Sequence, residues 1–546
     1  MFNLKVNRTN GGIGRQATGT DYYSGILYYL KSTSSLPTAF ATNQIQPLTS
    51  ILDLVALGID GKSGDETRAA GSYLNTGIGS NGDTATFTFT DPITGVVITL
   101  GTYTKVTGDS TATLVDTGCA ASINALTYIH GFVASISTAT LVITCPAGYG
   151  LSPNSGTPFA VTYSAGATIA GTLTQPTGSL STIQGVGSEQ DAIYYHVREA
   201  FRMQGVVNNS NAQGKIWLGI YKGATATYSA FNEVLSMQAF AVGQIKQLLV
   251  CGIGTSSAFT TFATSQITAL QVQVAALQVL NTPLRIIYQP NLKSVADITA
   301  VTNLLTLNSD GVQCVIAQDG GNLGYKLFKA LGASVGSGGT ILGGWAAAKV
   351  MQSAGWRGGF NFVDSLEYTT LAFCNGQSFA SLGANLYSTQ TTVDSYGYVF
   401  LMNETSPQSS ALFGGVFLSN DQMCVTATSD YAYMPNGRTI DKASVGVRAA
   451  ILPALGGNVY FNADGTLTTN SLLYLQHLGD SVIGGKSGVT FGSMVQAGEI
   501  SDGQTIISPT QNVQGTNMLT VTISIIQAGV LRQITINIGF KASLTA

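Results

Sequence analysis

From residue 215 onward the chain alternates short apolar runs with longer stretches of helical period. "KIWLGIY", "IKQLLVCGIG", "PLRIIYQP" and "GVQCVIAQD" are the continuous apolar type expected of strands buried on both faces. Between them "TFATSQITALQVQVAALQVLN" and "SVADITAVTNLLTL" read as helices, and that order predicts a βαβ-type sheet with helices packed on it. The pattern is different between Thr84 and about Ser181. There "TATFTFT", "GVVITLGTYTKV", "FVASISTATLVITC" and "PFAVTYSAG" alternate with period two, and "DTGCAASINALTYIHGF" has room for one helix. This block reads as an inserted β-rich domain at 76–185, closed by the connection "GATIAGTLTQPTGSLSTIQGVGS".

The two ends of the chain also carry strand patterns. Phe2, Leu4 and Val6 alternate with Asn3, Lys5 and Asn7, and the glycines Gly11, Gly12 and Gly14 then form a flexible hinge. Near the other end Leu519, Val521, Ile523 and Ile525 take every second position, as do Ile534, Ile536, Ile538 and Phe540. A two-stranded ribbon is marginal alone in water and invites pairing along its open edge. "RTIDKASVGVRAAIL" is an amphipathic helix with Ile440, Ala443, Val447 and Ile451 on one face, Thr439 as its cap and Pro453 limiting its length. The expected fold is a multidomain α/β (α+β) protein. It has a mixed sheet core flanked by helices (21–75 and 186–400), the inserted outer domain, a C-terminal domain at 401–516, and terminal arms at 1–20 and 517–546.

Composition narrows the function classes. Charged residues make up 9% of the chain, against roughly 25% in ordinary domains. Glycine supplies 65 of the 546 residues, and Thr and Ser provide polarity that Lys and Glu normally would. Such a surface tolerates dense neighbours without charge repulsion. With 24 basic against 27 acidic residues and no basic run, nucleic acid is not an expected partner. Six scattered cysteines without a CxxC pair fit reduced thiols rather than a disulfide framework. No apolar run reaches the ~20 residues of a membrane helix, so direct membrane insertion is not expected.

Candidate chemistry is thin. "ALGIDGKS" at 56–63 has Gly61, Lys62 and Ser63 of a phosphate loop, but Ala56 stands where the first glycine belongs and two acids follow. "GGKS" at 484–487 fails in the same way, and "GSGGTILGG" at 336–344 lacks dinucleotide spacing, so close helix packing is the reading of its glycines. His130, His196 and His477 lie far apart with no ligand-spaced partners, and there is no GxSxG elbow. No metal, cofactor or catalytic residue is expected, and the chain does not read as an enzyme.

Several stretches together resemble the contractile tail sheath family of bacteriophages and related injection machines. They are "NGGIGRQATGTDYYSGILYYL", "AIYYHVREAFRM", "KIWLGIY", "WRGGFNFVDSLEYTT", "PNGRTIDKASVGVRAAILPALGGNVYFNADGTL" and "AGVLRQITINIGF". The β-rich insert departs from this pattern and looks like a variable outer domain. The resemblance implies a virion homo-oligomer of stacked rings around a tail tube protein, with baseplate and tail terminator proteins as further partners. It would be assembled in a bacterial cytoplasm. It also implies that Phe2 to Asn7 and the segments around 518–526 and 533–540 add strands to neighbouring subunits. Deleting residues 1–8 or 518–546 is then expected to leave a folded core that makes no tubes. The alternatives are a virion adhesin or decoration protein, resting on the charge-poor insert, and a nucleotide-binding α/β enzyme, resting on "ALGIDGKS".

Overall fold

The computed structural model describes residues 21–30, 38–42, 44–61, 69–91, 97–130, 132–145, 156–176, 189–208, 214–222, 230–252, 264–331, 333–362, 370–403, 415–484, 493–530 and 532. Its centre is a seven-stranded sheet. In spatial order the strands are Tyr398–Val399, Val312–Val315, Arg285–Tyr288, Gln247–Gly252, Ser24–Leu30, Ile216–Lys222 and Ile45–Leu48. All are parallel except Ile45–Leu48, which runs against Ile216–Lys222. A parallel sheet has helices on both faces, so its inner strands are apolar throughout, and every residue of Ser24–Leu30 and Gln247–Gly252 is buried. Tyr28 and Tyr29 show the two faces. The Tyr28 ring lies 6.3 Å from His196 of helix Glu189–Asn208, whereas the Tyr29 hydroxyl donates to Glu233 Oε2 of helix Glu233–Phe240 at 2.9 Å.

Glycine spacing lets two helices approach closely on the first face. Helix Gly338–Ala347 is buried on every side. A Cβ on Gly339 would stand 2.2 Å from the His196 carbonyl, and one on Gly343 would stand 2.4 Å from the Ala200 carbonyl. The glycines of "GSGGTILGG" therefore serve packing, as the spacing suggested. The predicted helix over "SVADITAVTNLLTL" does not form. One turn, Ile298–Ala300, is capped by Asp297, and the chain becomes extended at Val301. Asn303 Oδ1 accepts from Leu305 N, the Leu304 N–H donates to Tyr396 O, and the Thr302 carbonyl accepts from the Tyr398 hydroxyl. A helix would have to give up these tertiary bonds.

The insert has its own core. Strands Val133–Ser137, Thr140–Thr144, Ala70–Ile78 and Ile169–Thr174 form one antiparallel sheet, and Val97–Thr104, Thr84–Thr90 and Phe159–Tyr163 form another. Helix Ala112–Asn124 packs against both, in the place where one helix was predicted. Aromatic rings fill the interior, with Phe89 4.7 Å from Phe132 and 5.1 Å from Phe159 between centroids.

Three boundaries differ from the sequence reading. Strand Ala70–Ile78 pairs inside the insert, so the domain starts before residue 76. The segment expected to be a plain connection supplies strand Ile169–Thr174. The body core also runs past residue 401, taking in Val416, Leu418, Met423, Cys424 and Met434. Separate small cores appear only from Ala443 onward, so the C-terminal domain begins within helix Met434–Ile451.

Two variants test this packing. Gly343→Val should lower unfolding free energy by about 3 kcal/mol in a denaturant titration, because overpacked helices cannot separate without losing their contact. Gly205→Ala, with nothing within 4 Å of its new methyl group on helix Glu189–Asn208, should instead stabilise by about 0.5–1 kcal/mol.

The insert also carries a titrating group. Asp116 is buried, neither of its carboxyl oxygens completes a hydrogen bond, and burial pushes its pKa up to about 6, an effect that the nearby Asn75 backbone only partly offsets. Its folded pKa lies above that of an unfolded aspartate. The stability it contributes is therefore full below the ordinary carboxylate range and lost as pH rises through about 6. Raising pH from 4 to 7 should lower the melting temperature of the insert, and Asp116→Asn should flatten that dependence.

Candidate functional site

Helix Met434–Ile451 connects the body to the C-terminal domain. It starts five residues before the predicted cap: Tyr433 is the N-cap and Pro435 occupies the first turn. Thr439 lies inside the helix, where its hydroxyl donates to Pro435 O at 2.8 Å. Arg438, Asp441 and Lys442 recur at helical spacing and form one charged stripe. That stripe meets the N-terminal edge of the parallel sheet, where Asp21, Lys246 and Arg285 stand just before or at the first residue of a strand.

Arg285 is fully buried. It donates from Nε to Asp441 Oδ2 at 2.6 Å and from Nη2 to Asp441 Oδ1 at 2.8 Å, and also to the Asp310 and Gly437 carbonyls. A Cβ on Gly437 would stand 2.5 Å from the guanidinium carbon, so the absent side chain lets the pair close. Arg438 donates to Ala348 O at 3.1 Å and to Lys349 O at 3.3 Å, which satisfies carbonyls at the end of helix Gly338–Ala347. Burial pulls its pKa down to about 10, which still leaves it cationic at neutral pH. Lys442 Nζ donates to Asp21 Oδ2 at 2.6 Å and to Glu499 Oε1 at 2.5 Å.

Glu499 directly precedes the first strand of a ribbon, Ile500–Ile506, which pairs antiparallel with Thr522–Gln527. The predicted alternation holds along this second strand. Val521, Ile523 and Ile525 face Ala443, Val447, Ile451 and Ile483 and are only half-buried, while Ile526 points outward and is 62% exposed. Leu519 joins the neighbouring cluster around Leu467, Leu475 and Ile507. Both outer edges of the ribbon are unpaired among the described residues. At the end of the strand, Gln527 Nε2 donates to Asn436 Oδ1 at 2.6 Å. The Arg532 guanidinium pairs with buried Asp421 and stacks 3.4 Å from the Tyr433 ring.

The sequence paired Leu519–Ile525 with Ile534–Phe540 and assigned the cover of both strands to other subunits. Among the described residues Thr522–Gln527 pairs with another strand of its own chain, Ile500–Ile506, which the sequence reading did not assign to it, and its inner face rests on its own helices. Phe2, Leu4, Val6, Gly11, Gly12, Gly14, Ile534, Ile536 and Ile538 lie outside the described residues. Sequence reasoning missed Asp21, Arg285, Asp421, Asp441, Lys442, Glu499 and Arg532. One available signal was "RTIDK", a cluster of charges in a chain that has few.

Where they are described, the other candidate motifs lie at helix ends or in packed positions. In "ALGIDGKS" helix Ile51–Ala56 ends before Gly61 and strand Ala70–Ile78 follows, while Lys62 and Ser63 lie outside the described residues. Gly484 ends helix Thr469–Ile483 at φ +128°, so "GGKS" begins where a helix stops. His196 is buried, and its pKa is lowered to about 3 by burial, which keeps it neutral. His130 accepts from Phe132 N at its Nδ1, with its Nε2 2.9 Å from Leu100 O. His477 lies exposed on its helix. All six cysteines are buried free thiols, and burial raises each of their pKa values. Among the described residues no cluster of His, Cys, Asp or Glu could hold a metal ion, and no helix is long and apolar enough to cross a membrane.

Residues 430–545 match DUF2586, C-terminal domain. The matched segment covers helix Met434–Ile451 and the ribbon, and it begins close to where the separate small cores begin. No curated protein matches the chain. Among solved structures, one similar chain comes from the cryo-EM structure of the anti-feeding prophage baseplate, 6-fold symmetrised. The identity is 12% and the TM-score 0.37, over 65% of this chain and 87% of that one. A likeness at that level carries no argument about role.

Asp441→Asn should destabilise the protein by about 3 kcal/mol in chemical denaturation, because it leaves a buried guanidinium without its counter-charge. Replacing both partners with apolar side chains, Arg285→Met with Asp441→Leu, should recover part of that loss.

Proposed function

We propose that this protein is a structural virion subunit, a contractile tail sheath protein that polymerises around an inner tube and drives it through a host envelope. The observation that carries this reading is the ribbon Ile500–Ile506/Thr522–Gln527, with both of its edges unpaired among the described residues and its inner apolar residues only half-covered. A two-stranded ribbon of this kind gains stability when a further strand is added. Each side chain among Val521, Ile523 and Ile525 can still contribute a share of the ~1.5–3 kcal/mol that full burial provides. Stretches resembling the sheath family span the body and the C-terminal domain, and the low charge suits a crowded polymer.

On this reading the partners are copies of the chain, a tail tube protein, and baseplate and terminator proteins. The protein works in the virion tail without a cofactor and is not an enzyme. The second reading, an adhesin or decoration protein, draws on the insert's separate core, which gives that domain a fold of its own.

The structure changes the choice of truncation. Removing 518–546 would strip Ile523 and Ile525 from the C-terminal core and Arg532 from Asp421, so the domain itself would suffer. Deleting residues 1–8 or 533–546 is the cleaner cut. Full-length protein should form long tubes in negative-stain electron micrographs, and either deletion should abolish them without lowering the melting temperature of the subunit. Discrete small oligomers from the full-length chain would favour the adhesin reading. Tubes of normal length from both truncations would refute the strand-addition reading.

A further inference from the structure

We infer that Lys442 couples the two ends of the chain, so that anchorage of the backbone at Asp21 governs how firmly the C-terminal ribbon is held. Asp21 lies three residues before the central strand Ser24–Leu30, and Glu499 lies one residue before Ile500–Ile506. Lys442 Nζ reaches both, at 2.6 Å and 2.5 Å, which places the two carboxylates within about 5 Å of each other. At that separation two like charges repel unless a cation stands between them. The site is partly shielded, with side-chain exposures of 24% for Lys442, 22% for Asp21 and 10% for Glu499, so water screens the attraction only in part.

Asp21 is held from other sides as well. Its carbonyl accepts from Gln247 Nε2 at 3.3 Å and from Arg438 Nη2 at 3.5 Å. Lys246, Arg285, Arg438 and Asp441 complete the charged surroundings. The root of the central strand, helix Met434–Ile451 and the start of the ribbon thus meet at one ammonium group. A shift of the backbone at Asp21 removes one of the two anchors that orient the Lys442 side chain, so the ammonium is no longer fixed in line with Glu499. The inference concerns the single subunit; its consequence, that a firmly held ribbon is prepared to accept a strand, rests on the polymer reading above.

The test is hydrogen–deuterium exchange on the unassembled full-length chain, comparing Asp21→Asn, Glu499→Gln, Lys442→Met and Lys442→Arg with the unmodified protein. Asp21→Asn should speed amide exchange in Thr522–Gln527 by about tenfold, an effect relayed through Lys442 and Glu499, and Lys442→Met should do so at least as strongly. Lys442→Arg should restore most of the protection, because it keeps the cation. Ribbon exchange within about twofold of the unmodified protein in Asp21→Asn overturns the proposal, and this conservative variant decides the matter even if Lys442→Met fails to fold. Tubes that fail to form while exchange remains coupled would count against the polymer reading alone.

Discussion

Arg285 begins an inner strand of the parallel sheet, and its guanidinium has no access to water. A buried cation is tolerated only when a counter-charge and hydrogen bonds replace its hydration. Asp441 supplies the first, and the carbonyls of Asp310 and Gly437 help supply the second. The side chain therefore fixes where helix Met434–Ile451 can lie, and Gly437 removes the Cβ that would have blocked the approach. Once that helix is placed, Arg438 reaches the end of the glycine-packed helix, Lys442 reaches both terminal roots, and Ala443, Val447 and Ile451 present the surface on which the ribbon rests.

The arrangement uses opposite ends of the sheet differently. In open α/β sheets ligands gather outside the carboxyl ends of the strands. Here the charged junction occupies the amino ends, and its charges are engaged in pairs and carbonyl contacts that hold elements together. Cysteines, histidines and the near-miss glycine motifs are likewise absorbed by packing or by helix ends. Chemistry in this part of the molecule is that of attachment between elements of the same chain.

The C-terminal domain and the insert are closed to different extents. The two cores of the C-terminal domain are small, and the ribbon between them keeps one face and two edges open among the described residues. The insert is different, because its aromatic interior is filled by its own strands and one helix. The insert thus closes its own core, whereas the ribbon's apolar face stays only partly covered among the described residues.

Local patterns decided much of this fold. Continuous apolar runs identified the buried parallel strands, since a strand covered on both faces has no polar side to display. Period-two alternation identified the insert and the strand ending at Gln527, since one face of each stays outside. Glycine spacing foretold the close helix pair. The pattern failed where distant partners compete with local preference. The helix expected after Ser294 is lost to bonds with Tyr396 and Tyr398, and the strand that pairs with Thr522–Gln527 among the described residues is Ile500–Ile506, which shows little period-two alternation of its own. Domain limits and the junction at Lys442 were not legible for the same reason. Asp21, Arg285, Asp441 and Glu499 are hundreds of residues apart at the extremes, and only tertiary packing, which removes water from a charge and obliges it to find its opposite, brings them together.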